Sequence, residues 1–143
     1  MTGATVTQNG RAKAWRPLPA ADRQIAFERA LAAYERGDFF ETHELLEPAW
    51  MGTDDPAERA LHQGLIKLAA AFVHGVRGNP LGIRKNLSGA REHLASALGS
   101  APAAASGLDL ATLLAEIDER LARLAADPAD PAIDAPALPR TTR

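Results

Sequence analysis

The stretch from Asp55 to about Val76 limits the fold of this chain more than any other feature. It opens with Asp55 at the N-cap, Pro56 at the first helical position and Glu58 two residues on. That combination satisfies and orients the free amides of a helix start. Leu61, Leu65, Leu68, Ala69, Phe72 and Val76 then recur at helical spacing, with Ile66 and Val73 off to one side. A helix that is apolar over so much of its circumference has to be covered from several directions. The spacing therefore predicts a central helix wrapped by others.

The same punctuation recurs on both sides of it. An amphipathic stripe of Ile25, Phe27, Ala30, Leu31 and Tyr34 predicts a first helix over about 22–36. Gly37 ends it, and Asp38 caps a second helix over 39–51, with Glu41 at the capping-box position. Asn79-Pro80 opens a fourth, lined by Ile83, Leu87, Ala90, Leu94 and Leu98 and closed at Gly99. Asp109 caps a fifth with Leu110, Leu113, Leu114, Ile117, Leu121 and Leu124 on one face. Glu116–Arg120 and Glu119–Arg123 are read as i,i+4 pairs on its wet side. Composition agrees: 31 Ala and 18 Leu stand against 8 Val plus Ile, which favours helix and disfavours a substantial sheet. The fold class is all-α, a compact antiparallel bundle of about five helices with extended N- and C-terminal arms.

Three segments follow from this reading. Residues 1–20 form a flexible N-terminal arm, whose Trp15 and Leu18 can tack its end onto the domain. Residues 21–126 form the bundle. Residues 127–143, with prolines at 128, 131, 136 and 139, form an extended tail expected to be solvated, the alternative being that Ile133 and Leu138 lie against the bundle. Removing residues 1–14 or 136–143 is accordingly expected to cost little stability.

Several classes of function are disfavoured. Without cysteine there is no disulfide framework, zinc–thiolate site or cysteine nucleophile. A net charge of −2 supplies no global field for nucleic acid. No apolar run reaches a membrane span, and the first residues lack the apolar core of a signal peptide. The expectation is a cytoplasmic protein with neither nucleic acid nor membrane as partner.

The chemistry concentrates on the second helix, FFETHELLEPAW. At 100° per residue Phe39, His43, Leu46 and Trp50 share a face, with Glu47 beside His43 and Phe40, Glu44 and Met51 flanking. A histidine and two glutamates on an apolar side call for an explanation, since burying an unpartnered carboxylate costs several kcal/mol by order of magnitude. One explanation is an acid–base site. Its candidate catalytic groups are His43 as base or ligand, Glu47 as its orienting partner and Glu44 as a second acid. Phe40, Trp50, Gln63 and His62 are candidate binding residues, with Gln63 as a hydrogen-bonding wall and His62 placed to face His43. The other explanation is a hydrogen-bonded pair that fixes helix packing. His62 also reads as a satisfied boundary histidine, and Phe39 and Trp50 as core. Gln63, Lys67 and His74 form a separate polar stripe; Asn86 and His93 flank the apolar face of the fourth helix, and His74 and His93 read as solvated. His43-Glu44-x-x-Glu47 lacks the second histidine of HExxH, so no metal is assigned and no cofactor is implied.

Phe40-Glu41-x-His43-Glu44-x-Leu46-Glu47-x-x-Trp50, followed by Gln63-Gly64-Leu65-Ile66-x-Leu68-Ala69-Ala70-Ala71 and Gly78-Asn79-Pro80, resembles the domain of unknown function 309 family over about residues 25–98. The resemblance implies a small helical bundle and an intracellular location, and it implies no established activity. Pro48 departs from the more usual unbroken helix. Two functions therefore stand side by side. One is a site for an unidentified small molecule or peptide, with or without acid–base chemistry. The other is a helical interaction module in which His43, Glu44 and Glu47 are structural. Oligomeric state and catalytic activity are left open by the residues.

Overall fold

The computed structural model describes residues 5–8, 11–14, 17–75, 80–100, 107–130 and 132–141. Trp15, Val76 and Asn79, and the side chains of His74 and Pro80, lie outside the described residues. Five helices carry the fold: α1 (Ala20–Glu35), α2 (Phe39–Met51), α3 (Pro56–Gly75), α4 (Pro80–Ser100) and α5 (Leu110–Ala126). They make a compact all-α bundle in which each helix packs on its neighbours in sequence, α3 against α4 most extensively. Ahead of them, β1 (Thr5–Gln8) and β2 (Arg11–Ala14) form a small antiparallel hairpin that pairs Thr5 with Ala14.

The helix boundaries follow from the punctuation. At the end of α1, Gly37 takes a φ of +78°, a left-handed conformation that glycine adopts without strain. Gly37 N–H then donates to the Tyr34 carbonyl, and Asp38 N–H to that of Ala33, the paired bonds of a Schellman stop. Asp38 caps α2 by accepting from the Glu41 amide, and Asp109 caps α5 by accepting from the Thr112 amide and hydroxyl.

The core runs along α3, where Leu61, Leu65, Ile66, Leu68, Ala69 and Phe72 are all buried. Phe27, Leu31, Leu46, Trp50, Leu87, Leu94, Leu113, Ile117 and Leu124 close around them. The stripes end sooner than their periodicity implies. Ile25 and Leu98 are half exposed, and Ala97 takes the buried place beside Leu98.

The tail is where expectation and structure part. It is extended, but it is not solvated. The buried Tyr34 hydroxyl donates to the Pro136 carbonyl, Leu138 enters the core, and Asp109 N–H donates to the Pro139 carbonyl. Leu108 and Arg140 form an isolated antiparallel bridge, and Arg140 pairs with Glu35 of α1. Arg120, read as a wet-side residue, is buried: it donates from Nε to the Asp134 carbonyl and pairs with Glu116. The tail thus straps α5 to α1. A proline-rich chain suits this course, because it stays extended and has few amides needing partners.

Candidate functional site

The Asp38 cap fixes the start of α2, and Leu46, Ala49 and Trp50 fix its rotation by entering the core. His43 is then carried to the edge of the buried face, with about a third of its side chain exposed. Its Nδ1 lies 3.1 Å from Glu44 Oε1 and its Nε2 lies 3.6 Å from Glu47 Oε2. The imidazole is thus bracketed by two carboxylates from its own helix. A neutral ring carries one N–H and serves one of them; an imidazolium serves both.

Beside this cluster lies a groove of about 370 Å³ lined by Pro17, Leu18, Glu44, Glu47, Pro48 and Met51. One wall is α2 and the other is the segment entering α1. That segment is held close, with Leu18 N–H donating to the Gly52 carbonyl at 3.0 Å. Only glycine allows the approach, because a Cβ at position 52 would stand 2.5 Å from Leu18 Cβ and 2.9 Å from the Pro48 carbonyl. Pro48 adds apolar lining and brings no N–H to the helical ladder. Three of the expected site residues, His43, Glu44 and Glu47, therefore come together, on the surface rather than in a buried pocket.

The expected binding residues do not join them. Trp50 is core, 3 % exposed, and backs the helix from inside. Phe40 points outward, 63 % exposed, because the helix turns it away from the face that Phe39 shares with Tyr34 and Phe72. Gln63 does not line the groove; its Oε1 is buried in the protein without a hydrogen-bond partner. His62 does not bond His43: among the described residues neither of its ring nitrogens makes a side-chain hydrogen bond. It packs instead on the Phe27 ring, centroids 6.0 Å apart, with Nε2 3.9 Å from Glu58 Oε2. Burial pushes its pKa down to about 4; Arg23 also lowers it, while Glu58 and the Ala49 backbone act the other way. His93 is half-buried rather than solvated, and burial, then Lys67, lower its pKa against the opposing effect of Glu92.

Sequence reasoning missed the groups that hold the groove together. Glu58 was legible only as a helix-start residue, yet its carboxylate takes Arg23 Nε at 2.6 Å and Nη2 at 3.2 Å. Arg23 Nη1 donates in turn to the Leu18 carbonyl. The i,i+4 spacing of Glu58 and His62 was the one available signal; nothing local marks Arg23. Among the described residues, no three His, Asp or Glu side chains gather as a metal-binding group, and no helix is long and apolar enough to cross a membrane.

Residues 27–86, from the middle of α1 into α4, match the model of a domain of unknown function (DUF309). The match covers less than half of the chain and shows a likeness over that stretch. The match takes in all of α2 and α3, hence the His43 cluster and His62, and leaves out Leu18, Arg23, α5 and the tail. No curated protein and no solved structure matches the chain. The DUF309 family brings no activity with it, so function rests on the site.

Proposed function

We propose that the groove beside α2 binds a small molecule with a cationic head and an apolar stem, such as an alkylamine or a lysine-like side chain. The observation that carries this reading is the lining. Glu44 and Glu47 offer carboxylates one helical turn apart, and Pro17, Leu18, Pro48 and Met51 offer apolar surface next to them. A carboxylate pair accepts charge-assisted hydrogen bonds from an ammonium or guanidinium, while methylenes lie along apolar walls. The volume is at the low end of small-ligand sites. His43 lies beside both carboxylates, 3.1 Å from Glu44 and 3.6 Å from Glu47.

The reading is one of binding rather than turnover, because water reaches all three polar groups, and a water-filled setting weakens the electrostatic stabilisation on which catalysis relies. The test is an NMR titration with n-hexylamine and, in parallel, n-hexanol, following the methyl signals of Leu18 and Met51. Hexylamine is expected to bind with a Kd in the millimolar range, and hexanol at least tenfold more weakly. The Glu44→Gln/Glu47→Gln double variant is expected to lose the preference for the amine. Equal binding of amine and alcohol, or an unchanged amine affinity in the double variant, rules the reading out.

A further inference from the structure

One buried titratable group takes no part in the groove chemistry, and it stands one step from the groove wall. His62 is fully buried, and among the described residues neither ring nitrogen makes a side-chain hydrogen bond. Its Nε2 faces the same Glu58 oxygen, Oε2, that Arg23 Nε grips at 2.6 Å. Arg23 also holds the Leu18 carbonyl, and Leu18 forms the groove wall opposite α2. Imidazole, carboxylate, guanidinium and peptide carbonyl thus form one chain from the core to the surface.

We infer that His62 is a proton-operated release for residues 17–19: its protonation draws Glu58 away from Arg23, and Arg23 then lets go of Leu18. The step moves one proton, from solvent to an imidazole nitrogen, and makes and breaks no covalent bond. An imidazolium in the interior needs a counter-charge, and the carboxylate 3.9 Å away supplies it. The same positive charge repels the Arg23 guanidinium. Both effects act on Arg23 in one direction, outward.

Among the described residues, no other charged group acts on His62. Glu58 from α3 itself and Arg23 from α1 are the charges that act on His62; α1 adds the Phe27 ring and α2 the Ala49 backbone. In the neutral state the depressed pKa keeps the latch closed at pH 7. Release is expected as pH falls through the folded-state value of about 4. Leu18 also donates its N–H to the Gly52 carbonyl, and that hydrogen bond reports the state of the segment. The consequence for ligand capture rests on the groove reading above; the latch itself does not.

The test uses the full chain without ligand. The hydrogen-exchange protection factor of the Leu18 amide is measured from pH 7.5 to 3, and the Cε1–H shift of His62 is followed in the same samples. Leu18 protection is expected to fall at least tenfold on acidification, with the midpoint of the His62 titration, while amides of Leu61, Leu65 and Leu68 stay protected. In His62→Gln, which holds no proton to exchange, Leu18 protection should not vary with pH. The inference is overturned if Leu18 protection is flat in the wild type, or if it falls at a midpoint different from that of His62. It is equally overturned if the same fall persists in His62→Gln, which would assign the release to Glu58 itself. If His62→Gln does not fold, the comparison of the two wild-type midpoints decides alone. A failed latch leaves amine binding at pH 7 untouched, and a failed groove reading leaves the exchange result untouched.

Discussion

At the scale of single residues, two histidines on adjacent helices are under opposite demands. His43 is a surface group held between two carboxylates; His62 is a core group with a carboxylate just beyond hydrogen-bond range. Exposed ion pairs contribute little to stability, typically under about 1 kcal/mol. His43→Ala is therefore expected to change the unfolding free energy by less than about 1 kcal/mol, measured by urea denaturation, while loosening the carboxylates that line the groove. His62 behaves otherwise. Its pKa is about 4 in the folded protein against an ordinary 6.5. Between those values the unfolded chain binds the proton and the folded chain does not, so stability is complete above pH 6.5 and falls as pH drops towards 4. The loss is roughly 3 kcal/mol across that window. Urea denaturation at pH 7 and pH 4.5 should show a drop in stability that is smaller in His62→Gln; an equal drop in both would place the acid sensitivity elsewhere.

At the scale of elements, the helices were legible because their signals are local. A glycine stop, an aspartate cap and a proline at the first turn each act within four residues, and each stands where the periodicity places it. The groove was not legible. It needs Leu18 to meet Gly52, and Arg23 to meet Glu58, thirty-odd residues away, and no spacing rule encodes such pairs. Arg120 was misread for the same reason. Its i,i+4 partner Glu116 made it look solvated, and the carbonyl that buries it arrives from Asp134, beyond the helix. The α3–α4 seam offers the sharpest element-scale test. A Cβ on Gly64 would lie 2.6 Å from Leu94 Cδ2 and 3.1 Å from the Leu94 backbone nitrogen. The backbone atom cannot swing aside, so the helices would have to separate. Gly64→Ala is expected to destabilise by about 1–3 kcal/mol despite its better helix propensity. Leu65→Ala, in the middle of the same helix, is expected to cost about 2–5 kcal/mol. Thermal melting of the two variants checks both, and a neutral Gly64→Ala would mean that the seam is looser than the geometry shows.

At the scale of the whole molecule, helices that each pack on sequence neighbours leave a chain of hairpins with two free ends, and the tail joins those ends. Removing residues 132–143 is therefore expected to be costly, against what composition alone suggests. Three losses combine. Leu138 takes its apolar surface out of the core, worth about 1.5–3 kcal/mol for a leucine. The Tyr34 hydroxyl loses the Pro136 carbonyl; burial already holds this phenol's pKa above its ordinary value, with Arg120 opposing and Asp134 adding to the shift. Arg120 loses the Asp134 carbonyl and carboxylate but keeps Glu116, so its guanidinium is left with fewer partners, although truncation also lets water reach it. These terms share neighbours and do not simply add. Freeing the segment returns part of this as backbone entropy, and since the intact tail stays docked, its contacts exceed that return. The truncated protein is expected to melt on the order of 10 °C lower than the full chain, with α1 and α5 losing amide protection first, since the strap joins those two helices. Leu138→Ala and Tyr34→Phe in the intact chain separate the contributions. Each should be milder than the truncation, and Tyr34→Phe milder than Leu138→Ala, because it removes only the hydroxyl donor and keeps the ring packed, leaving the Pro136 carbonyl without that partner at a cost of about 1 kcal/mol. A truncated protein that melts with the full chain would show the tail to be a passenger and the bundle to be closed by its helices alone.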